Sequence, residues 1–353
     1  MPQRVFAAMS GGVDSAAAAL LLLQAGYEVT GVTLRLHDFR NRPGLCGSGD
    51  DIETARSVAA FLGIPHQVLD LRELFRARVM DRFAAEYAGG RTPNPCIDCN
   101  REIKFGALLD WALDQGADAI ATGHYARLRQ DDSGRWQLLR GADRRKDQTY
   151  FLYQLTQRQL AHLRLPVGDY EKPALRALAE SHGLINAQKA DSQDICFVPD
   201  GDYGAFLRCH GGVEMSPGDF VDAEGQVLGR HKGLPCYTIG QRKGLGVGGA
   251  EGRLYVLGKD PERNTVILGA DSRLYSQELT AERVNWLSIP EPSGPLPVTA
   301  KTRYSQREAP ATVEPLPGGR IHMVFQEPQR AITPGQAVVF YSGDLVLGGG
   351  TIC

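Results

Sequence analysis

Apolar residues in the first 200 positions switch between two periods. Val5 to Met9 is a short unbroken apolar run of the length of a buried strand. A helical run, Ala16 to Gln24, follows and ends at Gly26. Tyr27 to Leu36 concentrates apolar residues at alternate positions and predicts a second strand. Asp50 to Leu62 sets Ile52, Ala55, Ala59 and Leu62 on one helical face. His66 to Leu71 predicts a third strand, Leu74 to Tyr87 a helix, Glu102 to Gln115 another, and Ala119 to Thr122 a fourth strand. Strands alternating with helices predict a parallel sheet with crossover helices. Ligands in such α/β folds bind at the carboxyl edge of the sheet.

Three stretches break the rhythm. Gly89 to Asn100 (GGRTPNPCIDCN) carries two Pro, two Gly and two Asn and predicts an irregular loop. Tyr125 to Arg140 reads as a hairpin turning at Asp131 to Gly134. Asp143 to Thr149 is charged and irregular, and helices are expected near Leu155 to Leu163 and Pro173 to His182. From about 215, Gly and Pro recur between short β-type runs: Asp219 to Val221, Arg253 to Leu257, Thr265 to Leu268, Val298 to Tyr304, Ala311 to Val313, Ile321 to Phe325 and Gln336 to Tyr341. Pro290 to Pro297 reads as a loop. The expected organisation is an α/β parallel-sheet domain over 1–205, a small β-rich middle domain over 206–272 and a C-terminal β-barrel over 273–353.

The first strand runs into Ser10-Gly11-Gly12-Val13-Asp14-Ser15 and then a helix. Strand, glycine turn and helix N-terminus together form an anion site. The first helical N–H groups lack intrahelical partners, and the dipole favours negative charge there. Gly11 and Gly12 let backbone approach a phosphate, Ser10 and Ser15 add hydroxyls, and Asp14 is a candidate Mg²⁺ ligand on the phosphates. The Walker pattern and its Lys are missing.

Composition narrows the setting. The 353 residues carry 39 basic and 41 acidic side chains, a net charge of −2, which argues against a uniformly basic nucleic-acid binder. Charge is local instead: Gly225 to Ala250 holds no acidic residue but contains Arg230, Lys232, Arg242 and Lys243. No apolar run approaches the 18 or so residues of a membrane span, and no signal-peptide h-region is seen, so a cytoplasmic protein is expected.

Seven cysteines, an odd number, suggest reduced thiols, metal binding or catalysis in preference to a disulfide framework. Cys96 and Cys99 form C-x-x-C, and Cys196 lies beside Asp191 and Asp194. No second C-x-x-C or His pair completes a structural zinc site. Three sulfurs without a fourth ligand favour catalysis or a cluster with an open coordination position. Arg101, Lys104 and a nearby helix start are expected to favour the Cys99 thiolate. Cys46, Cys209, Cys236 and Cys353 stand in no motif.

SGGVDS is the signature of the PP-loop ATP pyrophosphatases, which cleave ATP to AMP and pyrophosphate. Together with TPNP-x-x-x-CN, ATGHYAR, KDQTYFLY, DSQDICFV and YTIGQRKGLG, it makes the chain resemble the bacterial tRNA-specific 2-thiouridylases from residue 4 to about 341. The resemblance implies ATP at Ala8, Met9, Ser10, Gly11, Gly12, Val13, Asp14 and Ser15, with Leu34 and Gly123 beside the nucleotide. It implies adenylation of the C2 oxygen of tRNA uridine 34, which turns C2 into an electrophile with AMP as leaving group. It makes Cys99 the nucleophile and Cys196 the persulfide carrier, the two able to form a disulfide. A cysteine desulfurase or sulfur-relay protein is the implied donor. The target base is expected near Asn94, Pro95 and Cys96, and tRNA contacts at His124, Lys146, Asp147, Gln148, Arg303, Tyr304 and Gln336.

One departure keeps two routes open. The commoner family pattern has Asp where this chain has Cys96. Cys96, Cys99 and Cys196 also resemble the ligand set of thiolases that bind a [4Fe–4S] cluster with one open iron. The competing readings are a PP-loop ligase or amidotransferase acting on a small molecule, and a non-catalytic RNA-binding or iron–sulfur carrier protein.

Overall fold

The computed structural model describes residues 2–37, 49–190, 195–198, 201–213, 215–247 and 253–353. Cys46, Asp191 and Asp194 lie outside them. Three sheets form among the described residues. The first is parallel, in the order β3 (His66–Asp70), β2 (Glu28–Arg35), β1 (Arg4–Ala8), β4 (Ala119–Ala121) and β7 (Leu163–Arg164).

β1 shows why this sheet is covered on both sides. Val5, Ala7 and Met9 face one core, built with Ala16, Ala19 and Leu20 of the helix Val13–Gln24 and with Ala55, Val58 and Ala59 of the helix Gly49–Phe61. Phe6, one residue out of phase, faces a second core with Phe105, Leu108, Leu109 and Ala112. The period of two along a strand puts successive side chains on opposite faces, and crossover helices bury both.

Two local expectations are corrected. The stretch Gly89 to Asn100 is irregular only as far as Asn94. A helix starts at Pro95, with the Asn94 side chain accepting from the Cys96 N–H at 3.2 Å and proline at the first helical position. Asn is a strong N-cap, and proline lacks only an N–H that the first turn leaves unpaired in any case. Helical backbone then continues to Asp114, passing through a wide-turned π stretch over Cys99–Ala107. Cys99 therefore sits in the second turn, beyond the helix start expected beside it. Leu155 to Leu163 likewise shortens to a helix at Gln157–Ala161, and Leu163 opens β7.

The middle sheet has the order β10 (Tyr255–Asp260), β11 (Thr265–Gly269), β8 (Gly218–Val221) and β9 (Val227–His231). It wraps a small core of Phe220, Tyr237, Leu245, Val256, Val266 and Leu268. In the third sheet β12 (Tyr275–Trp286), β15 (Arg320–Arg330), β14 (Ala309–Leu316), β13 (Leu296–Lys301), β16 (Ala337–Ser342) and β17 (Leu345–Ile352) form a closed six-strand barrel, sealed by β12 pairing with β17.

The expected hairpin is present as β5 (Ala126–Gln130) and β6 (Trp136–Arg140), but it extends the barrel sheet, with Leu139 opposite Leu345. β16 is buried on both faces for the same reason. Val338 and Phe340 fill the barrel, while Ala337, Val339 and Tyr341 join Phe6 and Leu108 in the core of the first domain. First domain and barrel thus share one hydrophobic core.

Candidate active site

The glycine turn is built from its own side chains. Ser15 Oγ donates to the Gly12 carbonyl at 2.9 Å and accepts from the Ser10 N–H at 3.1 Å. Gly11 has φ +76°, and a Cβ there would lie 2.6 Å from the Asp51 carbonyl oxygen, so the turn requires glycine. Asn186 donates to the Gly11 carbonyl at 3.0 Å from the far side. Gly123, just past β4, packs so closely that a Cβ would lie 2.6 Å from the Asp14 carbonyl carbon. Leu34 is half-buried on β2, opposite Leu69. The expected nucleotide residues thus meet at the ends of β1, β2 and β4.

Asp14 is held from two sides. Lys172 Nζ lies 2.6 and 2.8 Å from its two carboxylate oxygens, and the Tyr125 hydroxyl donates to Oδ1 at 2.8 Å. Lys172 is buried and comes from the distant helix Lys172–Ser181. Behind the turn, buried Asp51 pairs with Lys189 at 2.5 Å. A cation beside a carboxylate lets both sit near phosphates without a net local charge. One carboxylate at a phosphate cradle also suits Mg²⁺, which takes its remaining ligands from water and phosphate oxygens. Lys172, Asn186 and Lys189 did not stand out in the sequence, because no local motif marks them; Tyr125 lies in the ATGHYAR stretch, but only the fold brings it to Asp14.

The cysteines lie along the helix that starts at Pro95. Cys96 is exposed, while Cys99 is buried among Phe75, Phe83, Ile103 and Phe197. Cys196, half-buried, packs against the same cluster. Cys99 and Cys196 thus border one apolar cluster, although 97 positions separate them in the chain. Arg101, expected to favour the Cys99 thiolate, is itself engaged by Glu102 at 2.6 Å. Among the described residues, no group of three His, Cys, Asp or Glu side chains is placed to hold a metal ion.

Most side chains expected to face tRNA are turned inward. His124 is buried, bonded to Thr122 Oγ1 at 2.7 Å, and burial followed by the Lys104 charge holds its pKa well below the usual histidine value. Asp147 is buried and accepts from Thr149 at 2.8 Å, burial pushing its pKa up. Gln148 accepts from the Tyr125 N–H at 3.0 Å. Arg303 donates to the Ile239 and Ala331 carbonyls at 3.0 and 2.8 Å and to Thr333 Oγ1 at 2.6 Å, which ties the middle domain to the barrel. Gln336 donates to the Thr92 carbonyl at 2.7 Å, just ahead of the Asn94 cap. Lys146 is half-buried. Tyr304 is exposed, its ring 4.4 Å from that of Phe151 and its face beneath Lys301.

Three family models match in succession: a tRNA methyl transferase HUP domain over residues 3–200, a tRNA methyl transferase PRC-barrel domain over 204–270, and an aminomethyltransferase beta-barrel domain over 276–352. The tRNA-specific 2-thiouridylase MnmA of Carboxydothermus hydrogenoformans is 52% identical over 358 residues, covering 99% of this chain and 97% of that one. The chain belongs to the tRNA-specific 2-thiouridylases. Members from Moorella thermoacetica and Magnetococcus marinus are 54% and 51% identical over 351 and 356 residues, each alignment covering 98% or more of both chains. Membership makes the chain a PP-loop enzyme of the ATP-using tRNA sulfurtransferase class, and the small-molecule ligase reading is not favoured.

Proposed function

We propose that this chain carries out ATP-dependent 2-thiolation of wobble uridine 34 in tRNA in the cytoplasm, by a persulfide route. The observation that carries the proposal is a built phosphate cradle, Ser10 to Ser15, in a full-length thiouridylase chain. ATP occupies Ala8 to Ser15 with Leu34 and Gly123 alongside, and Asp14 is the residue to hold Mg²⁺. The uridine C2 oxygen attacks the α-phosphorus and pyrophosphate leaves, so C2 carries AMP. Adenylation supplies the leaving group that a carbonyl oxygen lacks.

Cys196 arrives charged as a persulfide from a cysteine desulfurase or sulfur-relay protein. Its terminal sulfur bonds to C2. Cys99 thiolate then attacks Cys196 Sγ and breaks the S–S bond, and the electron pair released onto sulfur forms C2=S as AMP departs. The two cysteines end as a disulfide, which an external dithiol reduces before the next turnover. Their shared apolar cluster supports the pairing. It also keeps water from the persulfide. The border that Cys99 and Cys196 share with one apolar cluster, while Cys96 is exposed, favours this route over a [4Fe–4S] cluster.

The test is anaerobic purification with iron analysis, followed by reaction of unmodified tRNA with ATP and a persulfide donor. The product is read as 2-thiouridine by nucleoside mass spectrometry. Thiolation at full rate without iron, lost in both Cys99→Ala and Cys196→Ala while tRNA affinity persists, is the expected outcome. About four irons per chain, with activity tracking them, replaces the persulfide route by the cluster route. Full activity in either cysteine variant removes the mechanism.

A further inference from the structure

The middle domain presents a braced cationic loop. The turn from Thr238 to Gly244 is fixed at many points. Gly240 N–H donates to the Val256 carbonyl at 2.8 Å, and Val256 N–H donates to the Gln241 carbonyl at 3.0 Å. The Gln241 side chain closes the turn internally, accepting from the Thr238 N–H and donating to the Lys243 carbonyl, both at 3.0 Å. Lys259 Nζ donates to the Tyr237 carbonyl at 3.0 Å, and Arg303 donates to the Ile239 carbonyl. Gly240 and Gly244 hold positive φ, and a Cβ on Gly240 would lie 3.0 Å from the Ala331 side chain.

Arg242 and Lys243 stand on this frame exposed, and among the described residues neither enters an ion pair. Exposed Lys232 lies in the same acid-free stretch. Rigid backbone beneath unpaired cations is the arrangement of a preorganised anion contact, since little backbone entropy remains to be lost on binding. The frame also sits where all three domains meet. Arg303 joins Ile239 to Ala331 and Thr333, the Thr92 N–H donates to the Pro334 carbonyl at 2.9 Å, and Gln336 holds the Thr92 carbonyl. Two residues after Thr92, Asn94 caps the helix of Cys96 and Cys99.

We propose that the loop 240–244 is a binding site for RNA backbone phosphates, with Arg242 and Lys243 as its contacts. The inference rests on the tRNA reading above and assigns one binding surface to particular residues. Both contacts read charge rather than sequence, so they position tRNA without selecting it.

The experiment measures binding of the full chain to an unmodified tRNA transcript between about 50 and 200 mM salt. The variants are Arg242→Ala/Lys243→Ala and Arg242→Lys. The double alanine variant is expected to lose about tenfold or more in affinity at low salt, with the log–log salt slope shallower by about two. Arg242→Lys is expected to keep the wild-type slope, and an unchanged melting midpoint in the double variant excludes misfolding. Wild-type slope and affinity in a folded double variant overturn the inference while leaving the tRNA reading in place. A wild-type chain that binds no tRNA at any salt overturns the tRNA reading itself, and the loop assignment with it.

Discussion

Lys172 illustrates how much a single buried cation decides at the nucleotide site. Replacing it with Met leaves Asp14 as an uncompensated carboxylate beside the phosphate cradle. Lys172→Met is expected to cost about 2 kcal/mol of stability, less than a fully buried pair because Asp14 keeps 30% of its side chain exposed. ATP affinity is expected to fall at least about tenfold by calorimetric titration. Lys172→Met/Asp14→Asn is expected to recover the stability but not the ATP affinity. His124 acts through protons. Its pKa is lowered in the fold, so the unfolded chain binds more protons below the unfolded value of 6.5 and stability falls as pH drops through that window. The loss approaches about 1.4 kcal/mol per pH unit for one such group. His66 and His231 are shifted in the same direction, so His124→Gln is expected to show a shallower decline in urea unfolding between pH 6.5 and 5 without abolishing it.

At the scale of the element, the helix starting at Pro95 carries two of the three cysteines of the proposed sulfur chemistry on very little capping. Asn94→Ala removes the only side-chain cap recorded for it and is expected to cost about 1 kcal/mol, read as a lower melting midpoint. The effect on thiolation is expected to exceed the effect on stability, because Cys96 and Cys99 lie in the first two turns. This helix also shows where the sequence was legible and where it was not. SGGVDS announced its strand–turn–helix order, because glycine conformation and hydroxyl placement are local, but the helix begins at Val13, one turn before the expected Ala16. Asn94-Pro95 is equally a local start signal, but the surrounding Gly and Pro masked it. β9, β12 and β17 escaped notice because their side chains pack across the sheet and carry little period of their own. The inward turn of Arg303 and Gln336 depends on carbonyls more than 20 residues away or in another domain, which no local pattern encodes.

Over the whole molecule the three domains are fastened to one another at their junctions. Arg91 pairs with Glu86 at 2.8 Å and with Glu282 at 3.2 Å, and donates to the Ile352 carbonyl at 3.1 Å, so the lead-in to the cysteine helix is fastened to the last strand. A chain ending at residue 270 is expected to lose cooperative unfolding in calorimetry, since Ala337, Val339, Tyr341 and Val346 belong to the core around Phe6. Arg303→Ala is expected to loosen the middle domain and raise its proteolytic sensitivity near Ile239, with a smaller change elsewhere. The shared core also fixes an order of events during synthesis. The ribosome makes the catalytic strands first, yet the barrel residues that seal their outer face are made only after the whole middle domain. The nascent enzyme must therefore carry an unfinished catalytic half until β16 and β17 have been made.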